Sequence, residues 1–161
     1  MSYRAMVITC SDRAHAGVYA DRSGPIIVDG LRAAGFGAPA PTVVPDDRDA
    51  IADAIRQGLR GGARAVVTCG GTGVGPRDVT VEATRALLDY ELPGIAETLR
   101  RVGPQPYSML SRGIAGVVTC DDVRAVVLNA PGSVGGARDV VEHILPALPH
   151  LVDQLDGGDH G

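Results

Sequence analysis

The sequence predicts an α/β fold in which a mostly parallel sheet is flanked by helices on both faces. Short apolar segments at 5–10, 42–47 and 64–69 alternate with segments of helical apolar spacing at 23–36 and 48–62. Short apolar runs are typical of strands buried on both faces, and their alternation with helices is typical of a parallel sheet. Ligands of such folds bind outside the carboxyl ends of the strands, so the loops that follow the strands are the candidate binding loops.

The composition indicates one folded domain. The chain has 161 residues, of which 45% are apolar and 21% are charged, and we predict a single domain at 1–155 followed by a flexible tail at 156–161. No apolar run approaches the ~20 residues of a membrane helix, and the N-terminus lacks the apolar core of a signal peptide. We therefore expect a cytoplasmic protein with no membrane partner.

The charge and the aromatic content argue against a nucleic-acid partner. The net charge is -4, and the chain contains no Trp and a single Phe. A nucleic-acid-binding protein normally has a positive field for the phosphates and aromatic rings for the bases. We expect no nucleic-acid partner.

Capping and turn residues mark the first two helices. Ser23 can cap the helix at 23–36, Pro25 suits its first turn, and Gly35 ends it. The helix at 48–62 carries an apolar residue at every fourth position, which is typical of a helix that lies on a sheet.

The second half of the chain continues the alternation. A helix capped by Asp78 or Thr80 is expected to run to about Asp89, and Pro93 begins another. Within the ambiguous stretch 105–122, "GIAGVVTC" is typical of a strand.

The C-terminal region is predicted to contain one strand and one interrupted helix. The β-branched residues at 123–136 predict a strand that enters a second glycine-rich loop. The last helix, at 137–155, should kink or break at Pro146 and Pro149.

The segment "VVTCGGTGVGPRDVT" at 66–80 predicts an anion-binding loop. It lacks the glycine spacing of the dinucleotide fingerprint, and it cannot be a Walker loop because the chain contains no lysine. The absence of lysine also excludes Schiff-base and lysyl-AMP chemistry. Closely spaced glycines allow backbone N–H groups to approach an anion. The four glycines are Gly70, Gly71, Gly73 and Gly75.

Aspartates near this loop suggest a metal ion. Asp78 would repel a bare phosphate, so it either caps the following helix or takes part in a Mg²⁺ bridge. Asp46 and Asp47 end the second strand at the same edge of the sheet. Together these carboxylates favour chemistry on a Mg²⁺-bound nucleotide.

Other polar residues of the loops allow two interpretations. Asp12 and Arg13, after the first strand, either belong to the same crevice or are solvated charges. Arg77 pairs either with a phosphate or with a neighbouring carboxylate. Cys10 and Cys69 are expected to be small buried hydrophobic residues, although a thiol assisted by a nearby base is an alternative.

The longest of these motifs resembles a known family. "GGTGVGPRDVTVEAT" at 70–84 resembles the signature of the Mog-type molybdopterin adenylyltransferases, and other segments follow in the family's order. The sister MoaB-type branch usually varies "RDVT", which this chain retains. The further matching segments are 11–25, 43–47, 92–100, 109–117 and 129–133.

The resemblance implies a fold, an activity and partners. Members have a single three-layer α/β molybdopterin-binding domain and are commonly homotrimeric. They use Mg²⁺ and ATP to adenylylate molybdopterin, releasing pyrophosphate, and a separate protein then inserts molybdenum.

The resemblance also implies site residues. Asp46 and Asp78 correspond to the catalytic, metal-binding carboxylates. The implied contacts to nucleotide or pterin are Gly70, Gly71, Thr72 and Gly73 of the phosphate loop, together with Asp12, Ser111, Asn129, Pro131 and Gly132. Departures from the family pattern at Val81, Ala130 and Val134 change packing and loop stiffness only.

Two other functions are possible on the sequence alone. The chain could be a non-catalytic MoaB-type protein that binds molybdopterin or clusters partners, and retention of Asp46 and Asp78 argues against this. It could also be a dinucleotide-dependent oxidoreductase, which the failed glycine fingerprint disfavours.

Overall fold

Six strands form one mixed sheet in the computed structural model, which describes residues 2–159. Their order across the sheet is β2-β1-β3-β6-β5-β4; the β2–β1, β1–β3 and β3–β6 pairs are parallel, and β6–β5 and β5–β4 are antiparallel. The predicted α/β fold with a mostly parallel sheet is confirmed. The strands are β1 (Arg4–Cys10), β2 (Thr42–Val44), β3 (Ala63–Cys69), β4 (Tyr90–Glu91), β5 (Ala115–Cys120) and β6 (Val123–Ala130).

Helices cover both faces of the sheet and bury two apolar layers. One layer contains Ile27, Leu31 and Leu99, and the other contains Ile51 and Ile55. Helices α2, α5, α6 and α7 therefore pack on one face, and α3 and α4 pack on the other. The helices are α1 (Asp12–His15), α2 (Ser23–Ala33), α3 (Arg48–Arg60), α4 (Thr80–Arg85), α5 (Pro93–Val102), α6 (Val134–Asp139) and α7 (Leu148–Leu155), with a 3₁₀ turn at Tyr107–Leu110.

The starts of α2 and α4 differ from the prediction. Ser23 does not cap α2: its hydroxyl donates to the carbonyl of Gly132 (2.8 Å), and Asp21 accepts the N–H of Gly24 (3.0 Å). No side chain caps α4, whose N-cap residue is Val79, and α4 ends at Arg85 rather than near Asp89. The cap expected from Asp78 or Thr80 is therefore wrong.

The C-terminal helix breaks as expected. After α6 the chain passes through a π segment at Val140–Ile144 and a 3₁₀ turn at Leu145–Ala147 that contains Pro146, and α7 carries Pro149 in its first turn. No helix within residues 2–159 is long and apolar enough to cross a membrane.

The proposed tail begins with an anchored residue. The Asp156 carboxylate binds Arg64 at 2.6 Å and accepts a hydrogen bond from the Tyr3 hydroxyl at 3.3 Å. The boundary between domain and tail stays a prediction, and positions 160 and 161 of the expected tail lie outside the described residues.

The strand order brings the candidate loops together. β1 connects to β2 on one side, and the chain then returns to place β3 on the other side of β1. The carboxyl ends of β1, β2, β3 and β6 lie at the same edge of the sheet, since these strands are parallel. The reversal between β1 and β3 is where ligands of open α/β sheets bind.

Candidate functional site

Two clefts share the glycine loop that follows β3. The first has a volume of about 680 Å³, and its lining includes Asp12, Asp46, Gly70, Gly71, Asp78 and Gly132. The second has a volume of about 260 Å³, and its lining includes Thr72, Gly73, Ser111 and Pro131. Volumes of a few hundred Å³ suit small-molecule ligands. Except for Asn129, the predicted site residues therefore divide between two neighbouring clefts, with the loop in the wall of both.

Asn129 occupies a different position from the other predicted residues. It is 3% exposed and lines neither cleft. Its amide oxygen accepts the N–H of Ile114 (3.1 Å), and its amide nitrogen donates to the hydroxyls of Thr68 and Thr84 (both 2.9 Å). In this structure Asn129 links β6 to β3 and α4 by hydrogen bonds, and its side chain is not exposed in either cleft.

Two aspartates lock the loops after β1 and β2 together. The N–H of Asp12 donates to Oδ2 of Asp46 (3.0 Å), and the N–H of Asp46 donates to Oδ1 of Asp12 (2.9 Å). The other carboxylate oxygen of Asp46, Oδ1, is buried and has no hydrogen-bond partner within the described residues. A buried acceptor without a donor is uncommon and costs free energy, so this oxygen is a candidate contact for a ligand or cation.

The pKa values of Asp12 and Asp46 are shifted in opposite directions. Burial raises the pKa of Asp46, and the charges of Asp12 and Asp78 raise it further, against the effect of the Asp12 N–H. The pKa of Asp12 is lowered, mainly by its hydrogen bond from Arg77. Arg77 therefore pairs with a carboxylate at 3.1 Å in this structure, and its side chain is 67% exposed.

Asp78 lies beneath the glycine loop. Its Oδ2 accepts the N–H of Gly75 (2.9 Å), and a Cβ at either Gly73 or Gly75 would lie 2.9 Å from the same oxygen. The glycines at these two positions thus leave room for a carboxylate directly against the loop.

The acidic residues fit a magnesium ion that arrives with a nucleotide. Within residues 2–159 no group of three or more His, Cys, Asp or Glu side chains is arranged to hold a metal ion. Mg²⁺ in phosphate-transfer sites commonly has only one or two protein carboxylates, because water and substrate phosphates complete its coordination. The buried, unpartnered Oδ1 of Asp46 and the neighbouring Asp78 satisfy that requirement.

Two further glycines of the loop are sterically required. Gly70 has φ +98° and Gly71 has φ +69°. A Cβ at Gly70 would collide with the backbone carbonyl of Cys10, and one at Gly71 would collide with the hydroxyl of Thr80. The absence of these side chains lets the loop approach the end of β1 at Gly70 and the start of α4 at Gly71.

We expect Gly70→Ala to lower both stability and ligand binding. The Cys10 carbonyl belongs to a buried strand and cannot move aside, so the free energy of unfolding should fall by about 1–3 kcal/mol. Gly94→Ala is the matched control, because Gly94 lies in α5 with open space around its Cα; it should unfold at or slightly above the parent Tm. Thermal unfolding and nucleotide binding of both variants test this, and equal behaviour of the two would contradict it.

The cysteines of the first cleft are suited to packing. Burial raises the pKa of Cys10 to about 12 and that of Cys69 to about 11. Both thiols are therefore neutral near pH 7 and poor nucleophiles, which supports their interpretation as small hydrophobic residues.

Arg112 is a contact of the glycine loop that the sequence does not predict. Its guanidinium contacts the glycine loop and Glu82, although it lies 39 residues from Gly73 along the chain. Only its place beside Ser111 in a matching segment pointed to it, and no spacing rule connects it to the loop.

Comparison with known families is consistent with this geometry. The family model described as a probable molybdopterin binding domain matches residues 6–150. The molybdopterin adenylyltransferase of Pyrococcus furiosus is 32% identical over 94% of this chain and 90% of its own length. A solved structure described as the molybdopterin biosynthesis enzyme MoaB of Thermus thermophilus is 40% identical, has a TM-score of 0.86, and covers 99% of both chains.

Another relative is a longer protein. The molybdenum cofactor biosynthesis bifunctional protein of Chlorobaculum tepidum is 36% identical over 98% of this chain. The chain spans only 50% of the length of that relative.

Proposed function

Because the chain belongs to the Mog/MoaB family of molybdopterin-binding domains and to molybdenum cofactor biosynthesis, we propose that it is a nucleotidyltransferase that adenylylates molybdopterin with ATP. The observation that carries the proposal is the glycine loop shared by two clefts, one of them acidic. Adenylyl transfer requires two ligands to meet at one phosphate-binding element, and this arrangement provides it.

The proposed reaction joins two phosphates. An oxygen of the molybdopterin phosphate attacks the α-phosphorus of ATP; a new P–O bond forms, the bond to the β-phosphate breaks, and pyrophosphate leaves. The attacking phosphate is already substantially ionised near neutral pH, since its second pKa is ~6. No general base is needed, which suits a site with neutral thiols and no lysine.

We assign Mg²⁺-ATP to the first cleft and the pterin to the second. The first cleft contains the carboxylates of Asp12, Asp46 and Asp78. The second is bordered by Tyr107 and Leu110, which offer apolar surface, and by the hydroxyl-bearing Ser111. Under this assignment the loop at 70–73 stands between the nucleotide phosphates and the pterin phosphate.

Asp46 and Asp78 are the residues that would hold Mg²⁺. When bound, the ion neutralises negative charge on the phosphates, which otherwise opposes the approach of a second anion. The chain itself contributes the N–H groups of the glycine loop, which can donate to phosphate oxygens. Arg77 can do the same once its exposed pair with Asp12 opens.

The proposal is tested by pyrophosphate release. Purified protein incubated with molybdopterin, ATP and Mg²⁺ should release pyrophosphate, with omission of molybdopterin as the background control. Adenylyl-molybdopterin should accumulate in equal amount, as measured by chromatography. Release that stays at background while the pterin still binds would reject the enzyme.

That negative result would instead support a binding protein. The family model, which is described as a probable molybdopterin binding domain and names no reaction, is the observation that favours this second candidate. The dinucleotide-dependent alternative has no basis in the family membership.

We also propose that the protein works as a cytoplasmic homotrimer and passes its product to a separate molybdenum-insertion protein. The resemblance supports the trimer and the cytoplasmic location. The hand-off is supported by the bifunctional relative. The region that this chain matches makes up 50% of that relative, so in that protein it is joined to a second region in one polypeptide.

A further inference from the structure

Arg112 binds the carbonyl side of the glycine loop at three points. Its backbone N–H donates to the carbonyl of Thr72 (2.8 Å), its Nε to that of Gly73 (2.8 Å), and its Nη2 to that of Asp78 (3.0 Å). We propose that Arg112 is a positioning residue that presents the N–H side of this loop to phosphate. The inference rests on the proposed function and names a residue that determines how well the loop binds its anion.

Carbonyl groups of the loop are hydrogen-bonded to the protein, whereas several of its N–H groups have no partner within the described residues. The carbonyl of Gly71 accepts from Thr80 (3.2 Å) and that of Gly75 accepts from Asp78 (3.1 Å), in addition to the carbonyls held by Arg112. In contrast, the N–H groups of Gly71, Thr72 and Gly73 make no hydrogen bond to any other residue within 2–159. At Gly71, Thr72 and Gly73 the carbonyls are therefore occupied by protein donors and the N–H groups are left for a ligand, as in a backbone nest for anions.

The guanidinium is suited to this role by shape and charge. Its donors form a planar fork that reaches two carbonyls and a carboxylate at once, and a lysine ammonium has no such fork. Its positive charge lies against carbonyl oxygens whose partial negative charge would otherwise repel a phosphate. Removal of the side chain would leave those carbonyls free to turn toward the cleft.

Arg112 is itself held firmly. Nη1 forms an ion pair with Glu82 in the first turn of α4 (2.5 Å), and this pair lowers the pKa of Glu82. Arg100 donates to the carbonyls of Ser111 (3.2 Å) and Gly113 (3.0 Å), on both sides of Arg112 in the chain. Because both its backbone and its guanidinium are fixed, Arg112 can impose a single orientation on the loop.

We expect Arg112→Gln to weaken pyrophosphate binding about 10-fold or more, the effect typical of outer residues that orient a binding group. Calorimetry with pyrophosphate, and separately with Mg²⁺-ATP, measures this without molybdopterin. In the parent, ¹⁵N-labelled Gly71, Thr72 and Gly73 amides should shift on addition of pyrophosphate. In Arg112→Gln these shifts should be largely lost. Arg112→Lys should be intermediate and is the variant to use if the glutamine variant does not fold.

Arg64→Gln is the matched control. Arg64 also donates to a carbonyl, that of Arg124, and pairs with a carboxylate, that of Asp156, but none of its hydrogen bonds within residues 2–159 is to the glycine loop. Its loss should lower Tm without changing the affinity of the folded protein for pyrophosphate. Equal affinities of Arg112→Gln, Arg112→Lys and the parent would overturn the role of Arg112, and so would equal weakening in the Arg64 variant.

The binding measurements separate this inference from the proposed function. A parent that binds pyrophosphate through the loop amides but releases none in the turnover assay would reject adenylylation and still support Arg112 as an anion-positioning residue. A parent that binds neither pyrophosphate nor Mg²⁺-ATP would overturn both proposals.

Discussion

Asp78→Asn should lower kcat/KM for adenylylation by roughly 100-fold or more, the scale of effect when one preorganised polar group is removed from a transition state. The substitution is conservative in shape, because the asparagine oxygen can still accept the N–H of Gly75 that now bonds to Asp78. It removes a negative charge from the first cleft without removing the contact that holds the loop. Pyrophosphate release over a range of Mg²⁺ and ATP concentrations measures the loss, and Tm should change little.

Asp89→Asn is the control for this prediction. Asp89 also accepts one side-chain hydrogen bond, from the hydroxyl of Thr119 (2.7 Å), and it lies outside both clefts. Its variant should turn over like the parent. Since Asp78 does not cap α4, parent-like turnover of Asp78→Asn could not be explained by a retained cap and would show that the charge is not needed.

The fold was predictable where the sequence signal is local. The runs that became β1, β3 and β6 consist largely of apolar residues buried on both faces, so their character does not depend on which strand pairs with them. β4 has only two residues, and it exists because Tyr90 and Glu91 pair with Val117 and Gly116 of β5. No periodicity can be read from so short a segment.

The ends of helices were harder to predict because they depend on contacts with distant parts of the chain. Serine is a residue type that commonly caps helices, but the hydroxyl of Ser23 donates to the carbonyl of Gly132, 109 residues away along the chain. A tertiary partner therefore overrides a local preference, as commonly happens with short polar side chains.

The loops that form the candidate site were predictable from the sequence, but the hydrogen bonds that connect them were not. Parallel strands place Asp12, Asp46 and Gly70 at one sheet edge, which the strand pattern alone implies. The contacts of Arg112 with the loop, and the internal bonds of Asn129, arise from the packing of segments distant in sequence. The sequence thus predicted the position of the glycine loop and left out Arg112, the residue that we propose orients it.

Asp46→Asn should abolish most turnover and yet leave the protein at least as stable as the parent at pH 7. The carboxylate is partly buried near Asp12 and Asp78, and its Oδ1 has no donor within the described residues. An asparagine oxygen can still accept the N–H of Asp12, now 3.0 Å from Asp46. The variant therefore removes an unfavourable charge and keeps the hydrogen bond.

The predicted effect on stability has a definite dependence on pH. The pKa of Asp46 is raised in the folded state above its ordinary value of 3.8, so between these two pKa values the folded protein binds more protons than the unfolded chain. The free energy of unfolding then falls as pH rises through this window, and the cost of the charge is fully present above it. Relief by Asp46→Asn should be largest above the window and absent below pH 3.8.

Asp12→Asn provides a contrast of opposite sign. The pKa of Asp12 is lowered by Arg77, so its charge stabilises the fold above the ordinary value of 3.8, and that stabilisation is lost as pH falls through the lowered pKa. At pH 7 Asp12→Asn should have a lower Tm than the parent, whereas Asp46→Asn should not. Thermal unfolding of both variants from about pH 3 to about pH 8 measures the difference.

A magnesium titration links the stability of Asp46→Asn to its function. In the parent, Mg²⁺ should strengthen ATP binding, whereas in the variant the ion should add little, because the unpartnered oxygen that we assign to the cation is gone. A stable variant with Mg²⁺-independent ATP binding would show that a charge unfavourable for folding is retained for the ligand. A variant less stable than the parent at pH 7, with undiminished response to Mg²⁺, would instead make Asp46 a structural residue that joins the loops after β1 and β2.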